Sequence, residues 1–332
     1  MINLKINSQR GVVLIVVMLI FAATTIIVVN LQARFMSTVK AQGVIYAQAQ
    51  AQEFQRGAEL LAGIILRDDA LLDLKNTQLF DHQQEAWAQP QAYPIDGGQI
   101  RARLIDLQGR FNLAELVNNS NAQQVFINLL QQLELPSDTQ LEPKDIVVII
   151  KDWIDQDLEQ TGFVEAEDDY YLSLSATGLR SSVDAYRTSQ QALTHLSELL
   201  LIRGLSAQDY GRLAPYVTLL PIGTPLNINS VSLVVAQALN PSGGGDLVTS
   251  RPETGFTPED MASLSDVQRP LLNFGVESQF FELRSVVELG DVRYPMSSIV
   301  YMPVVTDPAQ APLPLVLARD QGWAYYYSQF NQ

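Results

Sequence analysis

An uninterrupted apolar run from Val12 to Val29 dominates the start of this 332-residue chain. Coiled as a helix it spans about 27 Å, close to the roughly 30 Å hydrocarbon thickness of a bilayer. A single membrane span is the expectation. Lys5 and Arg10 precede the run, no acid does, and no charge interrupts it. By the positive-inside tendency the start stays cytoplasmic and the remainder lies outside. A cleaved secretory signal fits poorly, because the run is too long and no A-x-A-like site follows it. The small residue, Gly11, comes before the run instead.

No proline occurs before Pro90, so nothing breaks the helix early. Beyond the span, Val44, Ala47, Ala51, Phe54, Ala58, Leu61 and Ile65 recur at spacings of three and four, a narrow apolar stripe on a continuing helix. Such a stripe suits a helix lying on a small sheet, with Gln48, Gln50, Gln52 and Gln55 as its solvent flank. A coiled-coil stalk requires the heptad to persist with charged flanks, whereas Asp68 and Asp69 end this pattern.

The basic leader ending in Gly11, the apolar residue after it and the long half-membrane helix resemble a type IV pilin-like protein. The resemblance implies cleavage between Gly11 and Val12 by prepilin peptidase and N-methylation of Val12. Most members of that superfamily carry Glu at the fifth mature position, where it neutralises the terminal ammonium of a neighbouring subunit. Here that position is Val16, and no acid appears until Glu53. An unpaired buried ammonium is costly, so a chain that presents the amine without the carboxylate fits a terminal subunit better than a repeating one. The competing reading is an ordinary anchor in which Val16 merely faces lipid.

Acids outnumber basic residues 36 to 21, for a formal net charge of -15, which opposes attraction to a phosphate backbone. Cys is absent and only His82 and His195 are present; disulfides, thiolate metal sites and Cys nucleophiles are excluded together. His195, in Leu193-Thr194-His195-Leu196, reads as a helix residue, and His82 sits in a polar stretch with Asp81 and Glu85. Neither belongs to a G-x-S-x-G or H-E-x-x-H motif. Ser242-Gly243-Gly244-Gly245-Asp246 lacks the Lys and Ser/Thr of a phosphate loop and reads as a flexible linker. Leu199 to Ser206, followed by Tyr210 and Leu213, has the shape of a helix-hairpin-helix, and Asn227-Ile228-Asn229 precedes another helix. With Ser206 in place of the second glycine and an adverse charge, the hairpin is expected to pack helices, with no nucleic-acid partner.

Ile100 to Asp106 alternates as a half-buried strand and leads into Asp106-Leu107-Gln108-Gly109-Arg110-Phe111-Asn112-Leu113. A helical pattern follows, with Phe126, Leu129, Leu130 and Leu133 on one face. Phe281, Leu283, Ser285, Val287 and Leu289 mark a second strand, which Ser297 to Val305 is expected to join across a Gly290 to Pro295 turn. The mostly helical stretch between the strands is long enough to be an inserted domain. It contains Asp152-Trp153-Ile154-Asp155-Gln156-Asp157, Ala166-Glu167-Asp168-Asp169-Tyr170-Tyr171, Tyr186-Arg187, Ser197-Glu198-Leu199 and Ile202-Arg203-Gly204.

With the D-x-Q-G-R-F-N-L stretch, these residues resemble the general secretion pathway protein K family, the largest minor pseudopilins of type II secretion systems. That family also lacks the fifth-position Glu. The resemblance runs from the leader to the final strands. It implies an α+β, pilin-like fold: a leader at 1–11, a membrane part of the helix at 12–30, a pilin-like domain formed by 31–112 and 276–332, and an inserted helical domain at 113–275. It implies a non-enzymatic protein of the inner membrane with a periplasmic body. Such a protein caps the pseudopilus tip with other minor pseudopilins and helps start assembly for export of folded proteins across the outer membrane, where secreted substrates are further candidate partners. The alternative is a single-pass anchored periplasmic enzyme or binding module.

From Glu142 to Asp169 ten acids face only Lys144 and Lys151. Asp155, Asp157 and Glu159 match the first, third and fifth places of an EF-hand, but Gln160 stands where the turn glycine belongs and Ala166 where the bidentate Glu belongs. An EF-hand is excluded, leaving a solvated acidic loop or an irregular calcium loop. The family resemblance implies Ca2+ in this domain, with Asp155, Asp157, Glu165, Glu167, Asp168 and Asp169 as candidate ligands. Phe163-Val164-Glu165 departs from the glycine-rich version expected of the family.

Overall fold

The computed structural model describes residues 9–137, 140–154, 168–173, 185–265 and 268–321. One helix, α1 (Gln9–Asn76), opens the fold; at 68 residues it is about 100 Å long. Residues 12–46 are exposed all round. Farther along, α1 buries Ala51, Gln55, Ala58, Ala62 and Leu66. This face is turned by one residue from the stripe read in the sequence: Phe54, Leu61 and Ile65 are only half-buried and Val44 is exposed. Small side chains let the helix backbone approach the sheet, and the bulky ones wedge in beside it. Gln55, expected in solvent, is buried and donates from Nε2 to the Tyr294 carbonyl at 2.9 Å. The helix also continues through Asp68 and Asp69, packing Ala70, Leu71 and Leu74 on the same core.

After α1 come β1 (Gln91–Ile95), β2 (Gly98–Asp106) and the short β3 (Phe111–Asn112). The inserted region holds α2 (Ser120–Gln132), α3 (Pro143–Ile154), α4 (Asp168–Ser173), α5 (Ala207–Leu213), β4 (Val217–Thr218), β5 (Leu226–Asn227), α6 (Leu233–Leu239), α7 (Gly244–Thr249), α8 (Pro258–Ser263) and β6 (Phe274–Gly275). The chain then returns through β7 (Phe280–Leu289), β8 (Val292–Tyr301) and β9 (Leu315–Asp320).

The main sheet has the order β1-β2-β7-β8-β9 and is antiparallel throughout. Its β2–β7 pair therefore joins strands from either side of the insertion. Alternation puts Ile100, Leu104, Phe281, Leu283, Val287 and Val300 toward α1. Phe280, Ile299 and Tyr301 face the other way, against Leu107 and Leu220. The β7–β8 turn is tighter than expected, with Leu289 opposite Val292 across Gly290-Asp291; a two-residue loop matches the twist of the strands. Pro295 is tolerated inside β8 because β9 pairs only from Ser297 onward, leaving that stretch of β8 on an open edge.

The insert has its own core, including Phe111, Phe126, Leu129, Ile149, Ile150 and Leu239. α2 buries Ala122, Val125, Phe126, Leu129 and Leu130, a helical stripe, and is capped by the Asn119 side chain. Two sequence readings are corrected in this region. The Gly243-Gly244-Gly245 run is no linker: α7 begins at Gly244, where a Cβ would fall 1.9 Å from the Ala236 carbonyl oxygen of α6. Glycine serves close approach here, and its spacing in sequence looks the same for both uses. His195 is not inside a helix but caps the short 3-10 turn Leu196–Leu200, its Nδ1 accepting from the Ser197 N–H at 3.2 Å while Glu198 closes the capping box.

Candidate functional site

Two regions carry the chemistry singled out in the sequence: the exposed half of α1, and the seam where sheet meets insert. Along α1, Val12 and Val16 are 61% and 50% exposed, within an unbroken series of bare apolar side chains. Gly11 lies in the same helix; residues 1–8 are outside the described residues. A surface this apolar needs lipid or the helices of other subunits to cover it.

The D-x-Q-G-R-F-N-L stretch is the seam. Asp106, at the end of β2, accepts the Gln108 N–H at 2.8 Å on Oδ1, and on Oδ2 the Ser278 hydroxyl at 2.6 Å and Asn227 Nδ2 at 3.0 Å. Asn227, fully buried, also donates to the Asp81 carbonyl and to Ser278 Oγ, and its Oδ1 accepts the Asn229 N–H at 2.9 Å. Burial raises the Asp106 pKa, and these donors only partly counter it. Gln108 accepts the Gln279 N–H at 2.7 Å and donates to the Pro225 and Glu277 carbonyls. Gly109 has no room for a Cβ, which would lie 2.5 Å from the Ser230 carbonyl oxygen.

The second half of the stretch reaches both bodies. Arg110 bonds Glu282 at 3.2 Å, and Arg284 grips the same carboxylate through Nε and Nη2, each at 2.9 Å. Burial alone would raise Glu282, but the two guanidinium groups outweigh it and hold its pKa at about 2. Phe111 stacks on Phe126 with centroids 5.4 Å apart, and Asn112 exchanges bonds with the Leu220 backbone at 3.0 and 3.1 Å. The motif therefore orients the insert on the sheet.

The acidic segment is described only in part. Asp168 accepts the Thr188 N–H and hydroxyl, both at 2.9 Å, and Arg187 Nη1 at 2.8 Å. Burial raises its pKa, yet these donors and the nearby cation leave it lowered. Asp169 is exposed. Asp155, Asp157, Glu165 and Glu167 lie outside the described residues. Beside Asp168, Trp153, Tyr171 and Tyr186 form an aromatic cluster, and Arg203 lies 4.2 Å over the Tyr170 ring.

Two carboxylate arrangements gave no signal in the sequence. Glu59 of α1 is buried, accepts the Ser298 hydroxyl at 2.6 Å and is held by Arg319 Nε and Nη2, both at 2.8 Å. At the far end of α1, carboxylate oxygens of Asp69, Asp81 and Glu85 lie within 4.8 Å of one another. Burial, then Glu85, lifts Asp69 to about 8; burial, Glu85 and Glu277 lift Asp73 to about 7. Burial also takes Asp81 well above its usual value despite the Ser278 N–H. Carboxylate oxygens gathered this closely are of the type that binds hard cations. The residues come from α1 and the loop after it, at spacings that match no metal motif.

A family model for type II secretion system protein K matches residues 109–222, a stretch that opens inside the seam motif. Over 302 residues the chain is 32% identical to the type II secretion system protein K of Pseudomonas aeruginosa, covering 86% of this chain and 87% of the relative. The chain belongs to the type II secretion system protein K family. The relative from Aeromonas hydrophila is 31% identical over 322 residues, covering 88% of this chain and 93% of its own length. A chain in the crystal structure of the GspK-GspI-GspJ complex from enterotoxigenic Escherichia coli superposes with a TM-score of 0.66 at 26% identity, over 82% of this chain and 96% of that one. As a protein K family member this chain is a minor pseudopilin, a structural component of the secretion apparatus. The family and the α+β pilin-like class expected from the sequence are both borne out.

Proposed function

We propose that this minor pseudopilin caps the periplasmic tip of the pseudopilus and starts its assembly, without catalysing a reaction. The observation that carries the reading is an exposed apolar α1 with Val16 at the fifth mature position and no acid before Glu53. Inside a packed bundle of such helices, the terminal ammonium of each subunit already in place needs a carboxylate from the subunit added next. A chain without one can occupy only an end. The geometry of the body agrees with this. Ala51 packs near Ile100 and Val287, whereas Asp69 and Asp73 lie near Asp81 and Glu277, where the insert joins the sheet. The bulky insert thus sits at the end of α1 farthest from Val12.

The processing steps follow from the same reading: prepilin peptidase cuts between Gly11 and Val12, Val12 is N-methylated, and the span holds the chain in the inner membrane with its body in the periplasm. The partners are other minor pseudopilins, a reading supported by the solved complex in which the Escherichia coli GspK is joined with GspI and GspJ. Secreted proteins meet the tip. Co-expression with prepilin peptidase and intact-mass measurement tests the processing: a mature chain beginning at methylated Val12 is expected, and an uncut leader would sink it. Val16→Glu tests the terminal placement, since an added carboxylate allows another subunit to stack and should disturb secretion or filament length.

Calcium is proposed for the segment around Asp155, Asp157, Glu165, Glu167, Asp168 and Asp169, because so many carboxylates repel unless they are solvated or bridged by a hard cation. A thermal melt with and without chelator checks this: a lower midpoint in chelator is expected, and an unchanged one returns the segment to a solvated acidic loop.

A further inference from the structure

Residues paired across neighbouring strands share a face of the sheet. The register of β2, β7 and β8 therefore gathers Arg101, Arg103, Arg284 and Arg293 on the face turned away from α1, where these strands carry only Glu282 and Glu288 as acids. In a chain with 36 acids and 21 basic residues, the usual ratio is inverted there. Both glutamates are already committed to two guanidinium groups each, Glu282 to Arg110 and Arg284 and Glu288 to Arg101 and Arg293.

Arg103 is exposed, and its side chain makes no ion pair or hydrogen bond among the described residues. It stands directly opposite Arg284, and like charges in that arrangement destabilise a sheet. Other acids do not relieve it. Asp96 and Asp291 sit in the turns at one end of the sheet, about 17 Å of strand away and beyond the roughly 8 Å Debye length. Asp320, three strands across, faces His195 at 3.4 Å. The insert covers the other end of this face, where Phe280, Ile299 and Tyr301 meet Leu107 and Leu220, and leaves Arg101, Arg103 and Arg293 exposed. A guanidinium held on a rigid strand suits a carboxylate, which it takes through two parallel N–H bonds. We propose that this face docks an acidic segment of a partner protein, with Arg103 as its anchor and Arg101 beside it.

Fluorescence anisotropy on the full chain in zwitterionic detergent tests this with a labelled peptide of alternating Glu and Thr, against a control of alternating Gln and Thr. The acidic peptide should bind in the micromolar range and the neutral one at least tenfold more weakly. Arg103→Glu should weaken the acidic peptide at least tenfold with circular dichroism unchanged, and Arg103→Gln at least threefold; the second variant decides if the first loses its fold. Arg56→Glu, the same charge change at an exposed position of α1, should leave the affinity within twofold. Equal affinity for the two peptides, or equal losses for Arg103→Glu and Arg56→Glu, overturns the proposal. No binding of the acidic peptide overturns it as well, and Arg103-dependent capture of phosphatidylglycerol vesicles in that case assigns the face to lipid headgroups.

Discussion

Truncating Asn227 to Ala tests whether the polar seam holds the two bodies together. The side chain is fully buried, and its loss leaves the Asn229 N–H without its acceptor at 2.9 Å and the Asp81 carbonyl without its donor at 3.1 Å. Asp106 retains Ser278 and Gln108, so its share of the loss is small. Two orphaned groups at about 1–3 kcal/mol each give an expected loss of about 3–4 kcal/mol. At roughly 2–4 °C per kcal/mol for a body of this size, the melting midpoint should fall by about 10 °C. Near-ultraviolet circular dichroism of the full chain in mild detergent reads this directly. Ser278→Ala completes a double-mutant cycle, and a coupling of at least about 0.5 kcal/mol is expected because both residues share Asp106. A midpoint shift below about 2 °C, or strict additivity of the two losses, would refute the seam as a structural hub.

The carboxylates at the end of α1 predict a pH dependence of definite sign. With folded-state values raised to about 8 for Asp69 and about 7 for Asp73, the native state holds more protons than the unfolded chain above the ordinary value of 3.8. Their contribution is complete below that value and is lost as pH rises to about 8; melts from pH 5 to 8.5 should show a falling midpoint, and Asp69→Asn should flatten the slope. At the α6–α7 contact, Gly244→Ala drives a Cβ into backbone and should cost about 1–3 kcal/mol. Gly245→Ala, whose Cβ would meet only Gln237 Nε2 at 3.8 Å, should be neutral or stabilise slightly; equal losses in denaturant titrations would contradict the packing assigned to Gly244.

The long helix and the strands at β2 and β7 were legible because their patterns are local: an apolar run of membrane length, then alternation with period two. The family motif was legible through resemblance, but the work of its residues was not. Asn227 acts on residues in four separate stretches, and Gln55 and Glu59 find partners at Tyr294 and Arg319, more than 200 positions away. No local period signals a polar residue buried by such a distant partner, so Gln55 read as a solvent flank. β9 was missed because Leu315 and Leu317 remain exposed at the sheet edge, which leaves no clean alternation. The carboxylate cluster of Asp69, Asp81 and Glu85 was hidden for a related reason: a helix end and a loop bring together acids that look like ordinary surface charge.

Terminal placement rests on Val16 standing where a repeating subunit needs an acid, and counting copies tests it most directly. Sheared pseudopili sorted by length can be quantified by mass spectrometry against a labelled standard for this chain and for the major subunit. A tip cap is present once per filament, so its ratio to the major subunit should fall in inverse proportion to length. A constant ratio across lengths would mean that the chain is incorporated along the shaft, and would contradict the role proposed for its missing carboxylate.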